Sequence, residues 1–261
     1  DYAGAYYMLG ISQSAQNKLS QALANLRKAV ELDDTQESYK IALGQGLVQA
    51  EQYGEAFQVM RDISPGNLAD TSRSSYALLL AKAATESNNA AQVVPVLQQQ
   101  VRADGNNPKL YTALATAQRG AGNDTAALEA YAKAYELGKD EAAGRNAVSL
   151  AIAQARRARG SAKARYYDQA AGIAADLAQR SPTFDHLLLA GEAALGSKDY
   201  RDALEWLGKA QVKAPQNALV QYYRAQAETS LGQLDSAVAS LQEVLKIGVS
   251  GCPNQCAETC I

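Results

Sequence analysis

Apolar and small residues recur along this chain at the three- and four-residue steps of a helix face, in paired stretches divided by short polar turns. The paired pattern returns seven times. Three neighbouring pairs of anchors stand 34 residues apart, Gly10 to Gly44, Ala81 to Ala115 and Ala203 to Ala237. In the first unit Tyr6, Leu9 and Gly10 are followed by Ala22, Leu26 and Ala29, and in the second Leu43, Gly44, Ala56 and Met60 keep the same offsets. The fourth unit repeats them with Tyr111, Leu114, Ala115, Ala127, Tyr131 and Ala134, and the sixth with Leu187, Ala190, Gly191, Ala203, Leu207 and Ala210. A small residue at the eighth position of each unit, facing alanine at the twentieth, lets two antiparallel helices approach closely. The larger residue four later is expected to fill the gap toward the next hairpin.

These residues resemble the tetratricopeptide repeat, whose pattern runs W-x2-L-G-x2-Y, then A-x3-F, then a late proline. The resemblance covers about nine tenths of the chain. It implies an all-α, right-handed α-solenoid of about seven antiparallel helix-turn-helix repeats, with units near 3–36, 37–70, 74–107, 108–140, 141–183, 184–216 and 217–248. Residues 1–248 then read as one elongated domain and 249–261 as a cysteine-containing tail. Unit ends coincide with Ser64-Pro65-Gly66, Asn107-Pro108, Gly138, Ser181-Pro182 and Ala214-Pro215, because the residue before proline is pushed out of the helical region. The intervening turns, such as GNDTA at 122–126 and GQLDS at 232–236, hold Asp, Ser and Thr that can cap the second helix of each pair.

Two breaks in the period stand out. Gly44 to Ala81 spans 37 residues, with three extra near PGNLADTS, and Ala127 to Ala170 spans 43, nine more than 34. The second insertion lengthens the fifth hairpin around Arg156, Arg157, Arg159, Lys163 and Arg165, with no acidic residue among them. A protruding basic turn there could receive an acidic partner segment, phosphate or an anionic lipid surface; the plainer reading is a solvated helix end with cations near its carbonyl-rich C-terminus.

In the resembled family the first helix of each hairpin lines the concave face. Carried over by register, the lining here is Tyr7, Ile11 and Ser14; Ile41, Gln45 and Val48; Leu78 and Lys82; Thr116 and Arg119; Leu188 and Glu192; and Tyr222 and Gln226. Amides can bond a peptide backbone while Tyr and Leu supply pockets, so a protein or peptide partner is expected, extended or helical. The chaperone-binding members hold a terminal carboxylate with Lys, Asn and Arg; Tyr7, Ile11, Ile41 and Gln45 offer no such clamp.

Charge removes other classes. A net charge of −2 and a charged fraction of 20% leave no field for nucleic acid, and the cationic groove of the similar pentatricopeptide RNA-binding arrays is missing. No run of about 18 apolar residues could cross a membrane. His186 has no nucleophile or metal-ligand partner at a recognisable spacing, and the carboxylates form no paired motif, so neither an enzyme nor a bound cofactor is expected. Cys252, Cys256 and Cys260 share one helical stripe in the tail, which leaves three readings open: a disulfide with a spare thiol, a metal or iron–sulfur site completed by an outside ligand, or a flexible tail or one that packs as a terminal cap over the seventh hairpin. The chain opens on Asp1 without an initiator Met, as a processed product or fragment would. The Ala- and Gln-rich repeats point to a bacterial scaffold, in the envelope or periplasm by association, with the cytoplasm as the alternative. The rival functions are a thiol or metal carrier and a self-assembling array, a homo-oligomer in which one terminal hairpin docks in the next groove.

Overall fold

The computed structural model describes residues 2–248 and divides into two compact units, with the boundary between Asp140 and Glu141. The first unit holds four helix pairs: α1 (Tyr2–Ala15) with α2 (Leu19–Leu32), α3 (Glu37–Gln49) with α4 (Tyr53–Met60), α5 (Asp70–Glu86) with α6 (Ala90–Ala103), and α7 (Pro108–Gly120) with α8 (Asp124–Gly138). The second holds three: α9 (Glu141–Arg157) with α10 (Gly160–Arg180), α11 (Phe184–Gly196) with α12 (Tyr200–Lys213), and α13 (Ala218–Ser230) with α14 (Leu234–Ile247). No strand occurs among the described residues, so the fold is an all-α repeat.

Within a pair the helices meet where glycine or alanine removes bulk. A Cβ added at Gly10 would lie 2.6 Å from Leu26 Cγ, one at Gly191 2.6 Å from Leu207 Cγ, and one at Gly44 would run into the Met60 sulfur. The large residue four after the alanine therefore sits on the glycine of its own hairpin, and Leu26 also reaches toward the next one as expected, its Cδ1 3.8 Å from where a Gly46 Cβ would stand. The closer approach to the next hairpin is made by Leu23, whose Cδ2 comes within 3.0 Å of that same Gly46 position. Leu26, Met60 and Leu207 are all but fully buried, and burying each is worth about 1.5–3 kcal/mol.

Six of the seven pairs close through the same three-residue turn. Its middle residue, Asn17, Glu51, Asn88, Gly122, Lys198 or Gly232, is left-handed, with φ between 58° and 79°. The backbone amide of that residue donates to a carbonyl three positions earlier, and the next amide donates to one five positions earlier, as in Gly122 to Arg119 at 3.0 Å and Asn123 to Gln118 at 2.9 Å. This is the Schellman arrangement, and it satisfies the last carbonyls of the first helix. It also overturns the expected capping of the second helices. Their N-cap residues, among them Gln52 and Asp199, have ψ near 58° and 72°, and none makes a side-chain cap bond. A capping side chain needs an extended backbone, ψ well above 90°, which the turn does not provide. Side-chain caps occur instead on first helices, where Asn107, Thr183 and Asn217 accept from backbone amides at 3.2 Å.

The period breaks are absorbed differently. After the short α4, the Pro65–Asn67 3-10 turn is pinned by Arg73, whose guanidinium donates to the Pro65 and Leu68 carbonyls at 3.0 and 2.9 Å. Ile63 and Leu68 are buried beneath it, and α5 opens at Asp70 rather than near 74. In the fifth pair the extra residues extend the helices to 17 and 21 residues, leaving a turn of two residues rather than a protruding loop.

Tyr76 is fully buried in the first unit, its hydroxyl 3.3 Å from the Met60 carbonyl oxygen and 3.4 Å from that of Ile63. Burial, with Glu37 and Asp62 adding repulsion, holds its phenol well above the ordinary value. A raised folded-state pKa means that this contribution to stability is complete below the unfolded value of about 10 and is lost as pH rises beyond it. Chemical unfolding at stepped alkaline pH should show stability falling above about pH 10, and Tyr76→Phe should remove that part of the slope. Left-handed backbone costs a non-glycine residue about 1–2 kcal/mol, offset in part by glycine's entropy, so Glu51→Gly and Lys198→Gly should each stabilise by about 0.5–1 kcal/mol. Gly122→Ala, with nothing within 4 Å of the new methyl, should destabilise by about 1 kcal/mol for conformational reasons alone. Denaturant midpoints of the three variants check the signs.

Candidate functional site

In the first unit the first helices lie side by side, α1 against α3, α3 against α5 and α5 against α7. Their register-matched residues form stripes that are partly wet. Gln45, Lys82, Arg119 and Ile11 are exposed, whereas Tyr7, Ser14, Ile41, Leu78 and Thr116 are half-buried. Val48 is buried, so it packs inside the pair instead of lining a surface; a valine one turn beyond exposed Gln45 falls where the helix turns back toward its partner.

Contacts between elements give this layer its chemistry. The Tyr7 ring stacks on Tyr39 with centroids 4.8 Å apart, joining α1 to α3. Lys82 Nζ stands 5.8 Å from the centre of the Tyr53 ring, a cation over an aromatic face. Thr116 spends its hydroxyl on the Thr112 carbonyl at 2.9 Å and lies 3.2 Å from the Tyr131 hydroxyl, so it is less available to a ligand than its sequence position implies.

In the second unit α11 lies against both α9 and α13. Arg156, at the end of α9, donates to Glu192 of α11 at 2.5 Å. A cation read from sequence as part of a basic insertion is thus neutralised by a carboxylate read as groove lining. Burial by itself lowers the Arg156 guanidinium, but Glu192, together with Tyr223 and Tyr167, holds it above its ordinary value. Burial raises the Tyr167 phenol, Glu192 raises it further, and Arg156 pulls it partly back. Arg156, Tyr167, Glu192 and Tyr223 therefore form one electrostatic group. Leu188, Tyr222 and Gln226 are half-buried, and Tyr222 and Tyr223 place their ring centres 6.1 Å apart.

The remaining basic residues do not gather into a pocket. Arg156 and Arg157 end α9, Arg159 precedes α10, and Lys163 and Arg165 are exposed on its first turns, with Arg165 5.6 Å from the Tyr166 ring centre. That is the solvated helix end of the plainer reading. His186 is buried, with Nδ1 2.7 Å from the Ser181 carbonyl oxygen. Cys252, Cys256 and Cys260 lie outside the described residues.

Tyr39, Tyr53, Tyr167 and Tyr223 were not singled out by the sequence pattern. The composition carried a signal for them: 14 tyrosines against two phenylalanines favour aromatic rings with one wet edge over rings buried in a core.

Stacked antiparallel helix pairs with a half-wet layer of first helices define a protein-interaction scaffold of the helical-repeat class. A family model described as tetratricopeptide repeat matches residues 3–36, and one described as bacterial transcriptional activator domain matches residues 67–151. The same hairpin returns through both units, so the likeness to tetratricopeptide-repeat proteins extends beyond the matched stretch. The fold is shared with a tetratricopeptide repeat protein from Parabacteroides merdae at a TM-score of 0.56 and 12% identity, over 95% of this chain and 93% of that one. It is shared also with MamA from Desulfovibrio magneticus RS-1, at 0.50 and 13%, over 69% of this chain and 96% of the other. No curated protein matches the sequence. Tetratricopeptide folds serve as binding surfaces for proteins and peptides, and among the described residues no helix is long and apolar enough to cross a membrane.

Removing one charge at a time should move Tyr167 in opposite directions. Glu192→Gln brings its phenol down toward the ordinary value and Arg156→Gln takes it further up, readable by ultraviolet titration of the tyrosines. Because the Arg156 side chain is largely exposed, either change should alter unfolding free energy by less than about 1 kcal/mol.

Proposed function

We propose that the layer of first helices binds an extended or helical segment of a protein partner, and that the protein works as a non-enzymatic adaptor. The observation that carries this reading is the combination in the first unit of exposed Gln45 and Lys82 with the half-buried Tyr7 and Tyr39 stack. The amide can bond a backbone, the cation can meet a carboxylate or carbonyl, and the aromatic pair gives an apolar seat at small entropic cost. Protein is the expected ligand rather than nucleic acid, since the net charge is −2 and Arg156 is already paired with Glu192.

The setting we propose is bacterial, on the description of the family matched at residues 67–151, and its narrower form is an envelope assembly. Because the helices form before any ligand arrives, binding costs mainly the ordering of the partner segment.

Peptides selected by display against the whole chain provide the test. Tyr7→Ala, Gln45→Ala and Lys82→Ala together should weaken the selected peptides about 10- to 100-fold, about 1.4–2.7 kcal/mol. Gln58→Ala, exposed on α4, should leave affinity unchanged. Peptides that bind the triple variant as tightly as the parent chain would overturn the assignment of the face.

A further inference from the structure

One face of α14 departs from every comparable helix in the molecule. Leu234, Val238, Leu241 and Leu245 follow one another at steps of four, three and four, so they form a single stripe, and they are 63%, 54%, 42% and 81% exposed. Val238 occupies the position of Leu23 and Phe57, and Leu241 that of Leu26, Met60 and Leu207, all of which are 5% exposed or less. Leu23 is covered by the first helix of the following hairpin, where it packs against Gly46. The α14 stripe is therefore built like an inner junction of the repeat and not like the polar cap that keeps such arrays apart in solution.

The surface that would cover it is present on α1. Leu9, 47% exposed, stands where Leu43 and Leu80 are buried. Ser12 is exposed at the small-residue position held by Gly46 and Ala83 in later first helices, the position that receives Leu23 in the first junction. No charged side chain occurs from Tyr2 to Ala15, and Met8 adds apolar surface at 61% exposure. We infer that the α14 face of one copy packs on the α1 face of a second copy, reproducing between molecules the junction that α2 makes with α3. Shape favours this head-to-tail pairing over α14 against α14, because two copies of the Val238 and Leu241 stripe would set large residues against large ones. A heterologous contact of this kind leaves a free face at each end of a dimer, so further copies add until a ring closes or a filament grows. The inference is independent of the peptide-binding layer.

Light scattering on the whole chain over a concentration series, with reductant present so that thiol linkage is not counted, tests it. The parent chain should rise in mass with concentration past the dimer. Val238→Glu with Leu245→Glu should stay monomeric, and so should Leu9→Glu. An equimolar mixture of these two should stop at a heterodimer, because each variant keeps one intact face. Circular dichroism identifies any variant that fails to fold, and Leu245→Glu alone, at the most exposed position of the stripe, then replaces the double change. Tyr7→Ala should leave the assembly unchanged, and the end-face variants should still bind the selected peptides. A parent chain that remains monomeric throughout, or a Leu9→Glu chain that still dimerises, would overturn the proposal.

Discussion

Everything in this protein depends on how closely the two helices of a pair can approach. At Gly10, Gly44 and Gly191 even one methyl group would collide with the leucine or methionine of the partner helix. That contact draws the helices together at one level, and the three-residue turn fixes their ends at another. With the turn holding its middle residue left-handed, the first helix ends on backbone bonds and the second begins without side-chain help. The pair is then a rigid unit with one face free to meet the next. Stability accumulates from contacts between sequence neighbours, and no long-range pairing is needed.

The period, the hairpins and the small and large anchors were legible because they are fixed by spacing along one chain, which sequence displays directly. The turn chemistry was not. Asn17, Asn88, Gly122 and Gly232 advertise a left-handed backbone, but Glu51 and Lys198 adopt it only because the two flanking helices impose it. Pro95 lies inside α6, where proline was read as a terminator elsewhere in the chain. The nine extra residues of the fifth pair were legible as a longer hairpin, and they lengthen its helices to 17 and 21 residues, leaving only residues 158 and 159 between them where a protruding turn is expected.

The candidate face was legible as stripes and hidden as contacts. Register placed Tyr7, Lys82 and Glu192 on first helices, yet their partners Tyr39, Tyr53 and Arg156 stand about thirty residues away and follow no short-range rule. The same distance hides the pairing of Arg156 within the basic insertion, whose other residues sit as the solvated helix end that was the plainer reading. Local charge counting saw five cations without a carboxylate, while the fold supplied Glu192 from the next hairpin. A surface on which Arg156 is paired with Glu192 and the tyrosines are half-wet suits recognition of a neutral or mixed protein segment better than capture of a polyanion.

The central claim is that the first-helix layer is already formed before a partner is present, so that it acts as a template. Amide hydrogen exchange on the free protein, resolved helix by helix, tests this most directly. The account predicts that the middle amides of α3, α5 and α11 are protected to the same degree as those of α2, α6 and α12. First helices that exchange at unfolded-chain rates while the second helices stay protected would contradict it.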